Sequence, residues 1–367
     1  MKIVNVVGAR PNFIKVAPVV KAMAEYPDKF RSIIVHTGQH YDVNMSDEFF
    51  RQLEIPEPDV NLGVGSGSHA EQTAKIMMAF EEYIININPD LVVVYGDVNS
   101  TIACALVATK LGIPVAHVEA GLRSFDRSMP EEINRILTDA ISDFLFTTEE
   151  SANRNLAHEG ISKEKIYFVG NVMIDSLVRC LEKIQGSPLP FDDLTEHEYG
   201  LITLHRPSNV DDPEILEKIL DALTQISKQL KLVFPIHPRT RGNIERFGLM
   251  SKLDALAENC TVASPVAYLG ILKLLKSARL VITDSGGIQE ETTYLGIPCI
   301  TMRENTERPS TIEMGTNVLV GNDVKALKTA FRKVMSGDFK NGTVPPLWDG
   351  KAANRIVEIL KASPKTE

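Results

Sequence analysis

Short apolar runs that end in a glycine or a charged residue, each followed by a stretch of helical period, recur along almost the whole chain. No other feature narrows the possible folds as much. "KIVNVVG", "RSIIVHTG", "DLVVVYGD", "IPVAHVEAG", "DFLFTT" and "KIYFVGN" alternate with helical stretches such as "IKVAPVVKAMAEY", "AEQTAKIMMAFEEYIININ" and "TIACALVATKLG". Runs this uniformly apolar suit strands covered on both faces, and the helices between them supply the crossovers that parallel strands require. A polar, Pro-bearing stretch, "QGSPLPFDDLTEHEYG", breaks the rhythm before it restarts with "GLITLH", "KLVFPIHP", "CTVASP", "RLVITDSGG" and "IPCITMR". The pattern predicts an α/β protein of two similar domains, residues 1–175 and 176–345, joined near 175–198, and a last helix over about 350–364. At 367 residues the chain exceeds one ordinary core, in keeping with that division.

Composition excludes some partners. A formal net charge of −9 argues against general nucleic-acid binding, although an anionic small molecule is allowed where basic residues gather. The cysteines Cys104, Cys180, Cys260 and Cys299 are scattered without metal-ligand spacing and read as reduced thiols. His36 and His40 have i, i+4 spacing, but the intervening glycine spoils a helix, and no metal site is expected. No apolar run approaches the ~18 residues a membrane span needs, and Met1-Lys2 leads straight into a strand pattern. A cytoplasmic protein without membrane contact is the expectation.

In open parallel sheets ligands sit beyond the carboxyl ends of the strands, where the following helices aim their N-termini. After the first run, "GARPNFIK" offers Arg10 and Lys15 near a helix start, a candidate anion site. Asp97 ends one run and Glu119 the next, so a crossover helix between them would make two carboxylates near neighbours, one with a raised pKa usable for proton transfer. The plainer alternatives are that Asp97 caps the next helix and Glu119 pairs with Arg123. Glu131 and Glu132 follow Pro130 at a helix start. The second half carries the opposite sign in His205-Arg206, His237, Arg239 and Arg308. In "VITDSGGIQEE" a run ends at Asp284, Ser285-Gly286-Gly287 permit close backbone approach, and the free amides of the next helix suit a diphosphate, with Glu290 and Glu291 available to sugar hydroxyls. An acidic lip and a phosphate cradle facing a crevice between domains suggest a nucleotide-sugar site.

"GARPNFIK", "HTGQHYD", "GDVNST", "HVEAGLRS", "PEEINR", "DSGGIQEE" and "TERPSTIEMGTNVLVG", in this order, resemble the non-hydrolysing UDP-N-acetylglucosamine 2-epimerases. The resemblance implies a glycosyltransferase-B-like fold, two Rossmann-like domains with one site in the crevice between them, a C-terminal helix returning to the first domain, a homodimer, and no cofactor. It implies Asp97, Glu119 and Glu131 as acid/base carboxylates with His205 as a further catalytic group. Substrate-binding roles fall to Arg10, Lys15, Arg135, His237, Ser285, Gly286, Gly287, Glu291 and Arg308. The chain departs from the family text at Pro207 and Ser208, which replace two charged residues beside His205, and at Ile271, where an aromatic often stands. After His40 its text differs from members with a second, activating UDP-sugar site.

The implied reaction expels UDP from C1 as the C2 proton leaves, forming a 2-acetamidoglucal to which UDP returns with protonation on the opposite face. The same motifs also resemble a subgroup that inverts C2 of UDP-2,3-diacetamido-2,3-dideoxy-glucuronic acid. Rival readings are a UDP-sugar glycosyltransferase, a hydrolysing relative and a non-catalytic nucleotide-sugar sensor.

Overall fold

The computed structural model describes residues 1–39, 54 and 57–363, with only the backbone described at Arg10 and Pro11. Two compact units divide the chain: Met1–Arg179 with Pro346–Glu367, and Cys180–Pro345. The first division therefore falls inside the helix Val172–Lys183.

The first unit holds β1 (Lys2–Val7), β2 (Arg31–His36), β3 (Val60–Asn61), β4 (Leu91–Tyr95), β5 (Val115–Ala120), β6 (Phe144–Thr147) and β7 (Ile166–Phe168). They form one parallel sheet in the order β3-β2-β1-β4-β5-β6-β7. Val4, Val92 and Val115 are fully buried in this sheet, and Ile76, Phe80 and Ile84 of helix His69–Ile87 cover the same core. Buried side chains of both parities along β4 (Leu91–Tyr95) explain why its sequence is apolar without alternation.

The second unit repeats the scheme with β8 (Tyr199–Thr203), β9 (Lys231–Pro235), β10 (Cys260–Ala263), β11 (Leu280–Thr283), β12 (Cys299–Thr301) and β13 (Asn317–Leu319), ordered β10-β9-β8-β11-β12-β13 and all parallel. Both sheets reverse direction of winding once, between β1 and β4 and between β8 and β11. At such switch points the two neighbouring loops part and leave room for a ligand. The α/β class expected from the sequence is the class observed.

The helix Arg10–Ala24 contains Pro18, which cannot donate to the Ile14 carbonyl. The Ser176 hydroxyl donates to that carbonyl instead, at 2.5 Å. The segment Pro346–Ala362 packs in the first unit: Trp348 is 2 % exposed and its Nε1 donates to the Thr148 carbonyl at 3.0 Å. Asp175 accepts the N–H groups of Ala352 and Ala353 at 3.1 and 2.7 Å, at the start of helix Ala352–Ala362. All four cysteines are buried. Among the described residues no helix is long and apolar enough to cross a membrane, and no group of His, Cys, Asp and Glu is arranged to hold a metal.

Candidate active site

The first switch point is built on Asn12. Its Oδ1 accepts the N–H groups of Gly8 and Ala9 at 3.1 and 3.0 Å, and its Nδ2 donates to the Tyr95 carbonyl at 2.7 Å. One amide thus holds the loops leaving β1 and β4 together. The glycines are demanded by space: a Cβ on Gly8 would lie 2.0 Å from Ser100 Oγ, and one on Gly96 would lie 2.7 Å from Lys15 Nζ.

Lys15 is buried there and its Nζ meets Glu119 Oε1 at 2.8 Å, with both side chains nearly inaccessible. Asp97 is held by Arg135, whose Nη1 also binds Glu132 at 2.5 Å. Each carboxylate therefore has its own cation, and Arg123 pairs with Asp139 and Glu159 rather than standing beside Glu119. The cap position of helix Asn99–Lys110 falls at Val98. Glu119 sits in a left-handed backbone conformation, φ 76°, where the register of β5 against β6 shifts. Such a conformation costs a β-carbon residue roughly 1–3 kcal/mol and persists only when its surroundings hold it.

Of the acidic pair that opens helix Pro130–Ile141, Glu131 is half-buried, whereas Glu132 is buried and accepts from Ser124 N–H, Ser124 Oγ and Phe125 N–H at 2.9 Å each. Arg10 opens helix Arg10–Ala24. His36 turns its Nδ1 to the Gly38 N–H at 2.7 Å and stacks on Phe13, while burial lowers its pKa. His40, and the text after it that bears on a second UDP-sugar site, lie outside the described residues.

The second switch point brings His205 and Asp284 together. Asp284 is fully buried; its Oδ1 is 2.9 Å from His205 Nδ1, and it accepts the N–H of Arg206 at 2.8 Å and Asn209 Nδ2 at 3.1 Å. Burial pushes the Asp284 carboxyl up, but the hydrogen bond and charge of His205 with the other donors outweigh it and hold the group below the ordinary range. Pro207 and Ser208 begin the short helix Pro207–Val210, which delivers Asn209 to that carboxylate. His237 lies beside His205, ring centroids 5.4 Å apart, and its Nδ1 caps helix Pro238–Arg246 by accepting from Arg239 N–H.

Ser285 stands at the N-cap position of the ten-residue helix Gly286–Leu295, without a side-chain capping bond, and the helix starts with Gly286 and Gly287. A Cβ on Gly286 would stand 2.8 Å from Arg308 Nη1. Arg308 pairs with Glu290 at 2.9 Å and with Glu307, and Glu307 also binds Arg303 at 2.9 Å. Arg303 Nη1 and Arg206 Nε are buried and meet no acceptor among the described residues, so guanidinium capacity remains for an anion. Glu291 Oε1 accepts from the Tyr268 hydroxyl at 2.8 Å, and Ile271 packs with Tyr199 and Leu201.

Sequence reasoning named Glu132 without giving it a role and passed over Asn12, Asp139, Asn209, Arg303 and Glu307. Asn12 carried a usable signal, an amide four residues past the loop glycine; Asp139 and Asn209 become significant only through contacts distant in sequence, whereas Arg303 and Glu307 pair locally. It also found an aromatic missing at Ile271 without noticing that Tyr268, three residues earlier, reaches Glu291.

Two doubly wound parallel sheets, one bearing ion-paired carboxylates at its switch point and the other a His–Asp pair beside a glycine-opened helix, define an α/β protein. The model of the UDP-N-acetylglucosamine 2-epimerase family matches residues 21–361. The UDP-N-acetylglucosamine 2-epimerase of Methanocaldococcus jannaschii is 44% identical over 98% of this chain and 99% of its own. The UDP-2,3-diacetamido-2,3-dideoxy-D-glucuronate 2-epimerase of Pseudomonas aeruginosa is 45% identical over 98% of this chain and 99% of its own. A crystal structure of the M. jannaschii enzyme in complex with UDP-GlcNAc and UDP superposes with a TM-score of 0.88 at 43% identity, covering 99% of this chain and all of that one. The chain belongs to the UDP-N-acetylglucosamine 2-epimerase family, and its activity is that of an isomerase.

Proposed function

We propose that the protein reversibly inverts C2 of UDP-N-acetylglucosamine, giving UDP-N-acetylmannosamine. The observation that carries this reading is the pair of strand-end carboxylates, Asp97 and Glu119, each set against a buried cation at the switch point of a chain that matches 2-epimerases over its whole length. The C2 hydrogen is not adjacent to a carbonyl, so simple deprotonation would leave a poorly stabilised carbanion. In the proposed route the C1–O bond breaks with its electron pair going to UDP, the C2 proton passes to a carboxylate, and a 2-acetamidoglucal remains. UDP adds back to C1 as a proton reaches C2 from the opposite face.

Asp97, Glu119 and Glu131 are the acid/base groups in this reading, with His205 held by Asp284 as a further one. Lys15 and Arg135 set the carboxylates. Arg10, Arg308, His237, the Ser285 side chain and the Gly286 and Gly287 amides take the diphosphate, and Glu291 takes the ribose. Leaving-group stabilisation is the larger contribution, since a cation ~4 Å from the diphosphate is worth about 4 kcal/mol at an effective dielectric near 20 before desolvation. Positioned acid–base groups add roughly 10²–10⁴-fold.

A second substrate is favoured by one observation: identity to the diacetamido-glucuronate enzyme is 45%, against 44% to the UDP-N-acetylglucosamine enzyme. Proton NMR of each UDP-sugar with the protein in deuterated water decides. Deuterium at C2 of the manno epimer from UDP-N-acetylglucosamine is the expected result; exchange with the diacetamido-uronate alone would replace the substrate, and exchange with neither would overturn the mechanism.

The protein is further proposed to act in the cytoplasm as a homodimer. Met78 and Ile85 on helix His69–Ile87, and Ile133 and Leu137 on helix Pro130–Ile141, expose 72%, 59%, 45% and 50% of their surfaces, an apolar set suited to a second copy.

A further inference from the structure

Beneath Asp97 and Glu119 lies a fully buried histidine to which the reaction above assigns nothing. His117 Nε2 is 2.8 Å from the Gly96 carbonyl oxygen, and Nδ1 is 2.7 Å from Asp139 Oδ1. Both neighbours accept. The first is a backbone carbonyl, and the second is a carboxylate whose other oxygen takes the Gly121 N–H at 3.0 Å and Arg123 Nη1 at 2.7 Å. Against a carboxylate that Arg123 neutralises, an imidazole bonded at once to its oxygen and to the Gly96 carbonyl oxygen needs a proton on each nitrogen.

We infer that His117, as a buried imidazolium, is a positioning residue for the Asp97 and Glu119 carboxylates. This rests on the epimerase reading of those two groups. The geometry is bracketed from both sides of each. Asp139 grips His117 two residues before Glu119 and the Gly121 N–H two residues after it, while Asn155 Nδ2 holds the Gly121 carbonyl at 2.9 Å. The left-handed Glu119 backbone is thereby clamped at both flanks. On the other strand, Gly96 donates its N–H to the Val118 carbonyl at 3.0 Å and receives Nε2 of His117 on its own carbonyl. The peptide that leads into Asp97 is thus tied to the strand that carries Glu119.

The charges close on themselves. His117 and Arg123 supply two positive charges, and Asp139 and Glu159 two negative ones, with Arg123 joining both carboxylates. With Asp139 ionised against Arg123, a neutral imidazole would have to leave one acceptor without a donor. The Gly96 carbonyl would lose its bond, or Asp139 would keep a buried negative charge facing a bare nitrogen. Either releases one strand end from the other.

Histidine-selective ¹⁵N NMR of the wild-type protein, with the His117 signals identified by their loss in His117→Gln, reads the protonation directly. The expected spectrum has both His117 nitrogens in the imidazolium state at neutral pH. A single protonated nitrogen would overturn the inference. In parallel, His117→Phe keeps ring volume and removes both donors, and it should lower kcat ~10²-fold with KM and UDP affinity changed less than about threefold, as expected for misplaced groups rather than lost binding. A folded His117→Phe protein with wild-type kcat would also overturn it; should that variant not fold, the wild-type spectrum still decides. Wild-type turnover in the same assay separates the two claims: an inactive wild type counts against the epimerase reading and leaves the nitrogen spectrum to judge His117.

Discussion

At the scale of single residues, the carboxylates Asp97 and Glu119 were legible because a charge that ends an apolar run must lie at the open end of a sheet. Their partners were not, since Lys15 lies 104 positions from Glu119 and Arg135 lies 38 from Asp97. Glu119→Gln is expected to keep UDP binding and lose turnover by roughly 10²–10⁴-fold. It also strands the Lys15 ammonium in a buried place, at a cost of about 3–5 kcal/mol. Urea unfolding beside a turnover assay tests both effects, and adding Lys15→Met should recover much of the stability and none of the turnover. Full activity in Glu119→Gln would remove that residue from the mechanism. Gly121→Ala makes a separate case: φ is 79° and the new Cβ would stand 2.6 Å from the Ala152 carbonyl oxygen, so more than 1 kcal/mol of stability should go. An unchanged melting temperature would show that the turn can open.

At the scale of elements, the strand pattern found each long apolar run, and even the three-residue β7 and β12, but missed β3 and β13. The helix through Pro18 was legible from its period, yet the hydroxyl that repairs it comes from Ser176, 162 positions away. Asp175, one residue before that serine, gives the clearest pH effect. Burial, with the Asp349 charge, pushes its carboxyl up to about 6 against the pull of the Ala353 and Ala352 N–H groups and Arg355. A folded pKa above the unfolded one means that the native state binds the proton more tightly. The resulting stability is present below about pH 4 and lost as pH rises through 6, amounting to about 3 kcal/mol. Asp175→Asn should therefore flatten the fall in stability between pH 4 and pH 7 relative to wild type. Parallel melting curves over that range with identical slopes would disprove the assignment.

For the molecule as a whole, the α/β class was legible because both halves follow the same strand–helix rhythm. Nothing in residues 346–362 themselves announces which half they pack in; burial of Trp348 and Ala353 decides that, and burial is a property of the folded chain. Light scattering should return twice the 40.6 kDa of one chain, and Ile133→Asp with Leu137→Asp should return a single chain. A monomeric wild type would refute the proposed homodimer.

Trp348 is the only tryptophan in the sequence, and it is sealed into the first unit by a segment that follows the second. On the ribosome the sheet made first must therefore wait, its last helix still unsynthesised, until the other sheet has emerged. Completion of the early half is a late event in biosynthesis, and the indole fluorescence of one residue reports the moment it happens.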